Sequence, residues 1–140
     1  MRKLGIDYGD ARVGVAITDA LGITVQGLET ISHKGNDKIV LKRLEEIFKN
    51  YEIDSIVIGM PINMNGTKTE RAQVTEKFIH KLKCKFNKIK IETIDERLTT
   101  VAAHKTMNFL NINKFKKRDI VDTISAVYIL ETYMKKIEKK

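Results

Sequence analysis

The stretch LGIDYGDARVGVAITD, Leu4 to Asp19, decides the fold. In its first half Leu4, Ile6 and Tyr8 alternate with Gly5 and Asp7; in its second, Val13, Val15 and Ile17 alternate with Gly14, Ala16 and Thr18. A period of two is the signature of a strand with one buried face. Gly9-Asp10 supplies the turn between the halves. Lys3 to Tyr8 and Arg12 to Asp19 are therefore expected to pair as an antiparallel hairpin. Asp7 shares its face with Gly5, and the partner strand offers only Gly14, Ala16 and Thr18 there. Small neighbours leave room beside a carboxylate that is otherwise costly to desolvate. The structural alternative is an aspartate that merely caps the turn.

Outward from this hairpin, a third strand is expected over about Thr24 to Ile31, interrupted by Gly27. Asp37 caps a helix to about Asn50, with Ile39, Val40, Leu44, Ile47 and Phe48 as its apolar stripe. Ser55 to Gly59 is a continuous apolar run, as for a strand buried on both faces. A helix from about Thr69 to Lys83, a strand from Ile89 to Asp95, a helix from Thr99 to near Asn111 and a last helix from Asp119 complete the chain. The order is α/β, with a five-stranded mixed sheet of three antiparallel and two parallel strands. Asp7, Gly59-Met60-Pro61 and Asp95-Glu96 would then gather beyond the carboxyl ends of the parallel strands, where sites in such sheets form.

The 140 residues fit one domain, 1–140, large enough for a core without disulfides or a structural metal. The lone cysteine, Cys84, excludes an internal disulfide framework and suits a reducing compartment. The N-terminus reaches aspartate and glycine before any apolar stretch, and no apolar run is long enough to span a bilayer. A cytoplasmic protein with no membrane partner is expected. The net charge of +8 suits a polyanion as partner, and equally a lysine-rich solvated surface.

Four places carry side chains that could do chemistry. In DERLTT, Asp95 and Glu96 should point to opposite faces, so only one can face Asp7 easily. Arg97 could bind phosphate or pair with an acid, and Thr99 and Thr100 suit a helix N-cap. Asp119 and Asp122, spaced i, i+3, could share a site, or could serve as cap and dipole partner of a helix start. In GMPINMNGTKTERA, Gly59 to Ala72, Asn65-Gly66 marks a turn and Thr67 and Glu70 have capping-box spacing. Lys68, Arg71 and the helix-start amides there could hold a phosphate. Lysines crowd at 81, 83, 85, 88 and 90, and again at Lys114, Lys116, Lys117 and Arg118, the second run lying directly before Asp119 and Asp122. His33, His80 and His104 show neither metal-ligand nor triad spacing.

The blocks LGIDYGDARVGVAITD, IVIGMPINMNGTKTERA, DERLTTVAA and VDTISAVYILETY, in this order and at this length, resemble the YqgF family of pre-16S rRNA nucleases. That family is related in fold to the RuvC-type Holliday-junction resolvases. The resemblance implies a ribonuclease-H-like fold. It implies that Asp7, Glu96 and Asp122 form the catalytic, metal-binding set, with Asp95 an accessory and Asp119 outside the pattern. It implies Mg²⁺ or Mn²⁺, two ions about 3.5–4 Å apart in chemistry of this kind, held by hard carboxylate oxygens. The reaction expected is hydrolysis of phosphodiester bonds in 5′-end processing of precursor 16S rRNA. Lys68, Arg71, Arg97, Lys116, Lys117 and Arg118 would hold the nucleic acid, a structured RNA or branched DNA. The alternatives are a junction resolvase, an actin-like phosphotransferase built on the same first hairpin, and a non-catalytic module binding RNA or transcription complexes. The sequence sets no oligomeric state.

Overall fold

A computed structural model describes residues 1–63, 65–67, 69–96 and 114–138, with side chains of the last segment described over 123–137. The opening hairpin forms as the alternation dictates: β1 (Arg2–Tyr8) and β2 (Arg12–Thr18) pair antiparallel, with Leu4 opposite Ile17 and Asp7 opposite Gly14. β3 (Val25–Ser32) extends the meander on the far side of β2. After α1 (Asp37–Asn50), β4 (Ile53–Met60) returns parallel to β1; after α2 (Glu70–Lys85), β5 (Lys90–Asp95) adds parallel to β4. The sheet order is β3-β2-β1-β4-β5, the expected five-stranded mixed sheet. The last element is α3 (Lys114–Glu138).

Strand alternation divides the core into two layers. Leu4, Ile6, Tyr8, Val13, Val15 and Ile17 project to one face, where Val40, Leu44 and Ile47 of α1 and Phe78, Ile79 and Leu82 of α2 cover them. Full burial of each such aliphatic side chain contributes roughly 1.5–3 kcal/mol. The opposite face carries small residues, and a single helix covers it: Ala126, Ile129, Leu130 and Tyr133 of α3 pack on Ala16, Val57 and Ile94. Gly5 allows this close approach, because a Cβ there would stand 2.8 Å from the Ala126 carbonyl oxygen and 2.8 Å from the Leu130 Cβ. Gly27 does not interrupt β3. It lies in the strand under the Thr123 side chain of α3, beside a register shift opposite Val15 and Ala16.

α2 starts where expected, with Thr69 at its head, whereas the cap of α1, the capping box and the start of α3 differ from expectation. Asn36, not Asp37, caps α1, accepting from the Lys38 amide, because Asp37 is already helical. Thr69 caps α2, accepting from the Ala72 amide at 3.0 Å. Thr67, expected to cap it, instead closes the preceding turn with Asn65. The final helix begins at Lys114 rather than Asp119, so Asp119 and Asp122 lie inside it and neither is its N-cap. Ile39, expected in the apolar stripe of α1, is exposed, since the helix buries only the Val40, Leu44 and Ile47 side. The helix expected over 99–111 lies outside the described residues.

Candidate active site

β1, β4 and β5 end together at one edge of the sheet, and the side chains that converge there do so on the face covered by α3. Asp7 lies two residues beyond Gly5 on that face. The pairing of Ile6 with Ile58 brings Gly59 alongside it. β5 reaches the same edge one strand further out, with Gly59 opposite Ile94 and Met60 opposite Asp95. Ile94 belongs to the α3-side cluster, and Glu96, two residues on, folds back over Gly59. A Cβ at Gly59 would stand 2.7 Å from the Glu96 Cγ, 2.7 Å from its Oε1 and 2.6 Å from Ile129 Cδ1. The absent side chain is thus the space in which Glu96 sits.

There the Glu96 carboxyl hydrogen-bonds the Asp7 side chain. Burial, this hydrogen bond and the charge of Glu96, in that order, hold the Asp7 carboxyl well above the usual carboxylate range; the Arg71 guanidinium opposes them. Two carboxyl groups joined by a hydrogen bond must share a proton unless a cation replaces it. Asp95 follows the alternation of β5 onto the other face, away from Glu96, because Ile91 packs with the α1 and α2 layer and Ile94 with the α3 layer.

The turn that follows Asp7 is held from three sides. Arg71, in the first turn of α2, donates to the Tyr8 carbonyl oxygen at 2.7 Å and stands 3.9 Å from Asp10. The buried His33 ring bonds the Gly9 carbonyl oxygen through Nε2 at 2.8 Å. Its Nδ1 accepts from the Gly35 amide, so Nε2 carries the proton and donates. The Tyr8 ring stacks between His33 and Phe78, with centroids 5.7 Å and 4.3 Å away. Its hydroxyl donates to Asp37 at 2.5 Å, and Lys81 bonds the other Asp37 oxygen at 2.9 Å. Burial and the Asp37 carboxylate raise the Tyr8 phenol above its ordinary range, so it stays a donor at all physiological pH. His33 had no functional spacing in the sequence, and its structural role here depends on a contact 24 residues away. Gly59 was legible only as the glycine ending an apolar strand.

The other expected residues divide into two groups. Asp122, Lys116, Lys117 and Arg118 are helical residues of α3, and their side chains lie outside the described residues, as do Lys68 and Arg97 altogether. Asp122 stands four residues, about one turn, before Ala126, whose carbonyl oxygen lies over Gly5. Thr123, beside it in sequence, shares a 2.9 Å hydroxyl contact with Thr30 of β3. Within the earlier lysine cluster, Lys81 pairs with Asp37 and Lys85 with Glu45, both tying α2 to α1, while Lys90 pairs with Glu92 on its own strand. Among the described residues no group of three or more His, Cys, Asp or Glu is placed to hold a metal. The Asp7–Glu96 pair brings together hard carboxylate oxygens, those of Asp7 shielded from water and those of Glu96 half-buried, which fits a divalent cation.

The family model described as RuvX: Holliday junction resolvase matches residues 1–136. A Ruminiclostridium cellulolyticum protein named "Putative pre-16S rRNA nuclease" is 56% identical over 139 residues, covering 98% of this chain and 96% of that protein. An Acetivibrio thermocellus protein of the same name is 47% identical over 134 residues, covering 96% and 95%. Among solved structures, the fowlpox virus Holliday junction resolvase superposes with a TM-score of 0.60 at 15% identity, covering 97% of this chain and 99% of the viral one. Thermus thermophilus RuvC in complex with a Holliday junction substrate gives 0.57 at 12% identity, covering 98% and 96%. At such identities these two show a shared fold, the ribonuclease-H-like one. No helix among the described residues is long and apolar enough to cross a membrane. With the family model matching nearly the whole length and relatives near half identity across it, the chain belongs to the RuvX family of Holliday-junction-resolvase-like nucleases.

Proposed function

We propose that this protein is a divalent-metal-dependent endonuclease that hydrolyses phosphodiester bonds in structured RNA, with 5′-end processing of precursor 16S rRNA in the cytoplasm as its reaction. The observation that carries the reading is the hydrogen-bonded Asp7–Glu96 pair at the strand ends. Two carboxyl groups held against each other with one of them shielded from water repel when ionised, and a fold keeps such a pair where a cation or a proton is to be handled. That weighs against a purely non-catalytic binding module. The name carried by the relatives points the chemistry toward precursor rRNA. The phosphotransferase alternative has less support, because the described residues form one sheet and supply no second lobe.

In this reading Asp7 and Glu96 hold Mg²⁺ or Mn²⁺, with Asp122 of the adjacent helix as third carboxylate and Asp95, on the other face, left out of the set. Two bound ions would stabilise charge on the attacking and leaving oxygens and lower the pKa of the attacking water. The chain's own contribution is placement. Gly59 leaves room for Glu96, Arg71 and His33 fix the turn after Asp7, and α3 closes over the small-residue face. Arg71, partly exposed beside Asp10, meets the phosphate backbone, as Lys68, Arg97, Lys116, Lys117 and Arg118 do from the neighbouring segments. The family's description supports a second substrate, branched DNA.

Incubation with precursor RNA carrying its 5′ leader, and separately with a four-way DNA junction, in Mg²⁺ or Mn²⁺, tests the reading. Cleavage of the RNA at a defined 5′ position is expected. Cleavage of the junction alone overturns the ribosomal assignment, and cleavage of neither overturns the nuclease.

A further inference from the structure

The corner between β3 and α1 holds a residue in a conformation its side chain disfavours. Lys34 has φ of +49°, the only positive φ at a non-glycine position among the described residues, and Gly35 follows with φ of +84°. Glycine takes the left-handed region freely; a residue with a Cβ does so at a cost in free energy. Such strain persists only where the surroundings over-determine it, and it concentrates at functional sites.

The surroundings do over-determine this corner. The amides of His33 and Lys34 both donate to the Ala11 carbonyl oxygen, at 2.9 Å and 3.3 Å. The His33 ring is buried beneath and bonds the Gly9 carbonyl oxygen. Lys34 is thereby fastened through its backbone to the turn that begins two residues after Asp7. Its side chain is exposed, and no described acid pairs with it. The lysines that do pair, such as Lys81, Lys85 and Lys90, are bound to acids on their own or adjoining elements.

We propose that Lys34 is a contact for the phosphate backbone of the nucleic-acid substrate, presented by the rigid His33–Gly35 corner at the end of the sheet where β1 also ends. The proposal rests on the nuclease reading above. It explains why a cation stands where glycine would relieve the strain. A lysine acts on phosphate as a point charge and needs no fixed fork of donors, so a rigid backbone is sufficient to deliver it.

Equilibrium binding to a four-way DNA junction and to an RNA hairpin, across a range of salt, separates the outcomes. Three variants enter beside the wild type: Lys34→Gly, Lys34→Gln, and Lys49→Gln as a control in the last turn of α1, at the other end of the strands. Loss of one phosphate contact lowers the slope of log K against log salt by about 0.9 on duplex DNA. Both Lys34 variants should show that reduction and weaken binding several-fold on the junction, with a parallel weakening on RNA. Lys34→Gly should melt at or above the wild-type temperature, so its weaker binding is not a folding defect. Lys49→Gln should leave the slope unchanged. Wild-type affinity and slope in Lys34→Gly, or an equal loss in Lys49→Gln, overturns the proposal while the nuclease reading stands. A wild-type protein that binds neither nucleic acid overturns both.

Discussion

Glu96 reaches Asp7 by lying across the bare Cα of Gly59, so the approach of these two carboxyl groups depends on a residue with no side chain. Neither acid is placed by its own strand alone. Asp7 lies near the end of β1 on the face covered by α3, and Glu96 is already past the end of β5. The third participant is β4, which lies between them in the sheet.

Gly59→Ala should therefore disable the site more than it damages the fold. A Cβ at 2.6–2.7 Å from Glu96 and Ile129 forces one of them to move. Ile129 is buried in the core, whereas the Glu96 side chain can swing outward. Overpacking of this kind costs about 1–3 kcal/mol when the neighbours cannot yield. We expect a smaller cost in urea unfolding and a fall in kcat of roughly tenfold or more, equivalent to about 1.4 kcal/mol in the transition state, with KM little changed. A variant with wild-type kcat would show that Glu96 placement does not depend on this space.

The pair also predicts an unusual pH dependence of stability without divalent ions. A carboxyl whose pKa is raised by folding binds its proton more tightly in the folded state. Its contribution is fully present below the ordinary value of 3.8 and is lost as the pH rises through the raised folded value. Asp7→Asn removes that loss, because an amide can hold the hydrogen bond to Glu96 without a charge. In EDTA the variant should melt above the wild type at pH 8, by on the order of 5 °C, and the two should converge as the pH falls toward 4. A wild type that is equally stable or more stable at pH 8 would contradict the assignment.

Arg71 lowers the same pKa, and this gives an independent check. Arg71→Gln removes the cation and leaves an amide near the Tyr8 carbonyl oxygen. The Asp7 carboxyl should then hold its proton to a higher pH, so the acid limb of the pH–kcat profile should move toward alkaline pH. An unmoved limb, at equal metal concentration, would separate Arg71 from the site.

Tyr8→Phe tests the support beneath the turn. Phenylalanine keeps the stack on His33 and Phe78 but removes the donor to Asp37. A hydrogen bond to a charged acceptor contributes about 1.5–3 kcal/mol, and Lys81 still satisfies the other Asp37 oxygen. The loss in chemical unfolding should fall at the lower end of that range. A loss above it would mean that the ring itself had shifted.

The strands were legible because their signal is local. Leu4, Ile6 and Tyr8 alternate with small or polar neighbours, and the observed two-layer core follows that alternation without exception in β1. The opposite directions of Asp95 and Glu96 came from the same rule. What failed was tied to ends and to long-range contacts. Asn36 and Thr69 cap their helices where neighbouring residues offered equally plausible oxygens, and the choice depends on where the backbone turns. α3 starts at Lys114 because the basic run, strong in helix formers, continues the helix rather than preceding it. This removes the helix-start explanation for Asp122, which had been its main structural alternative. The roles of His33 and Gly59 could not be read at all, since each is defined by an atom far away in the chain.

The most direct test of the central claim is the rate of Mg²⁺-dependent cleavage of precursor RNA by wild type, Asp7→Asn and Glu96→Gln, measured after circular dichroism has shown each variant to be folded. A lost metal ligand forfeits several kcal/mol of transition-state stabilisation, so each variant should be slower by at least about 100-fold. Cleavage by either variant at close to the wild-type rate would place the chemistry somewhere other than the Asp7–Glu96 pair.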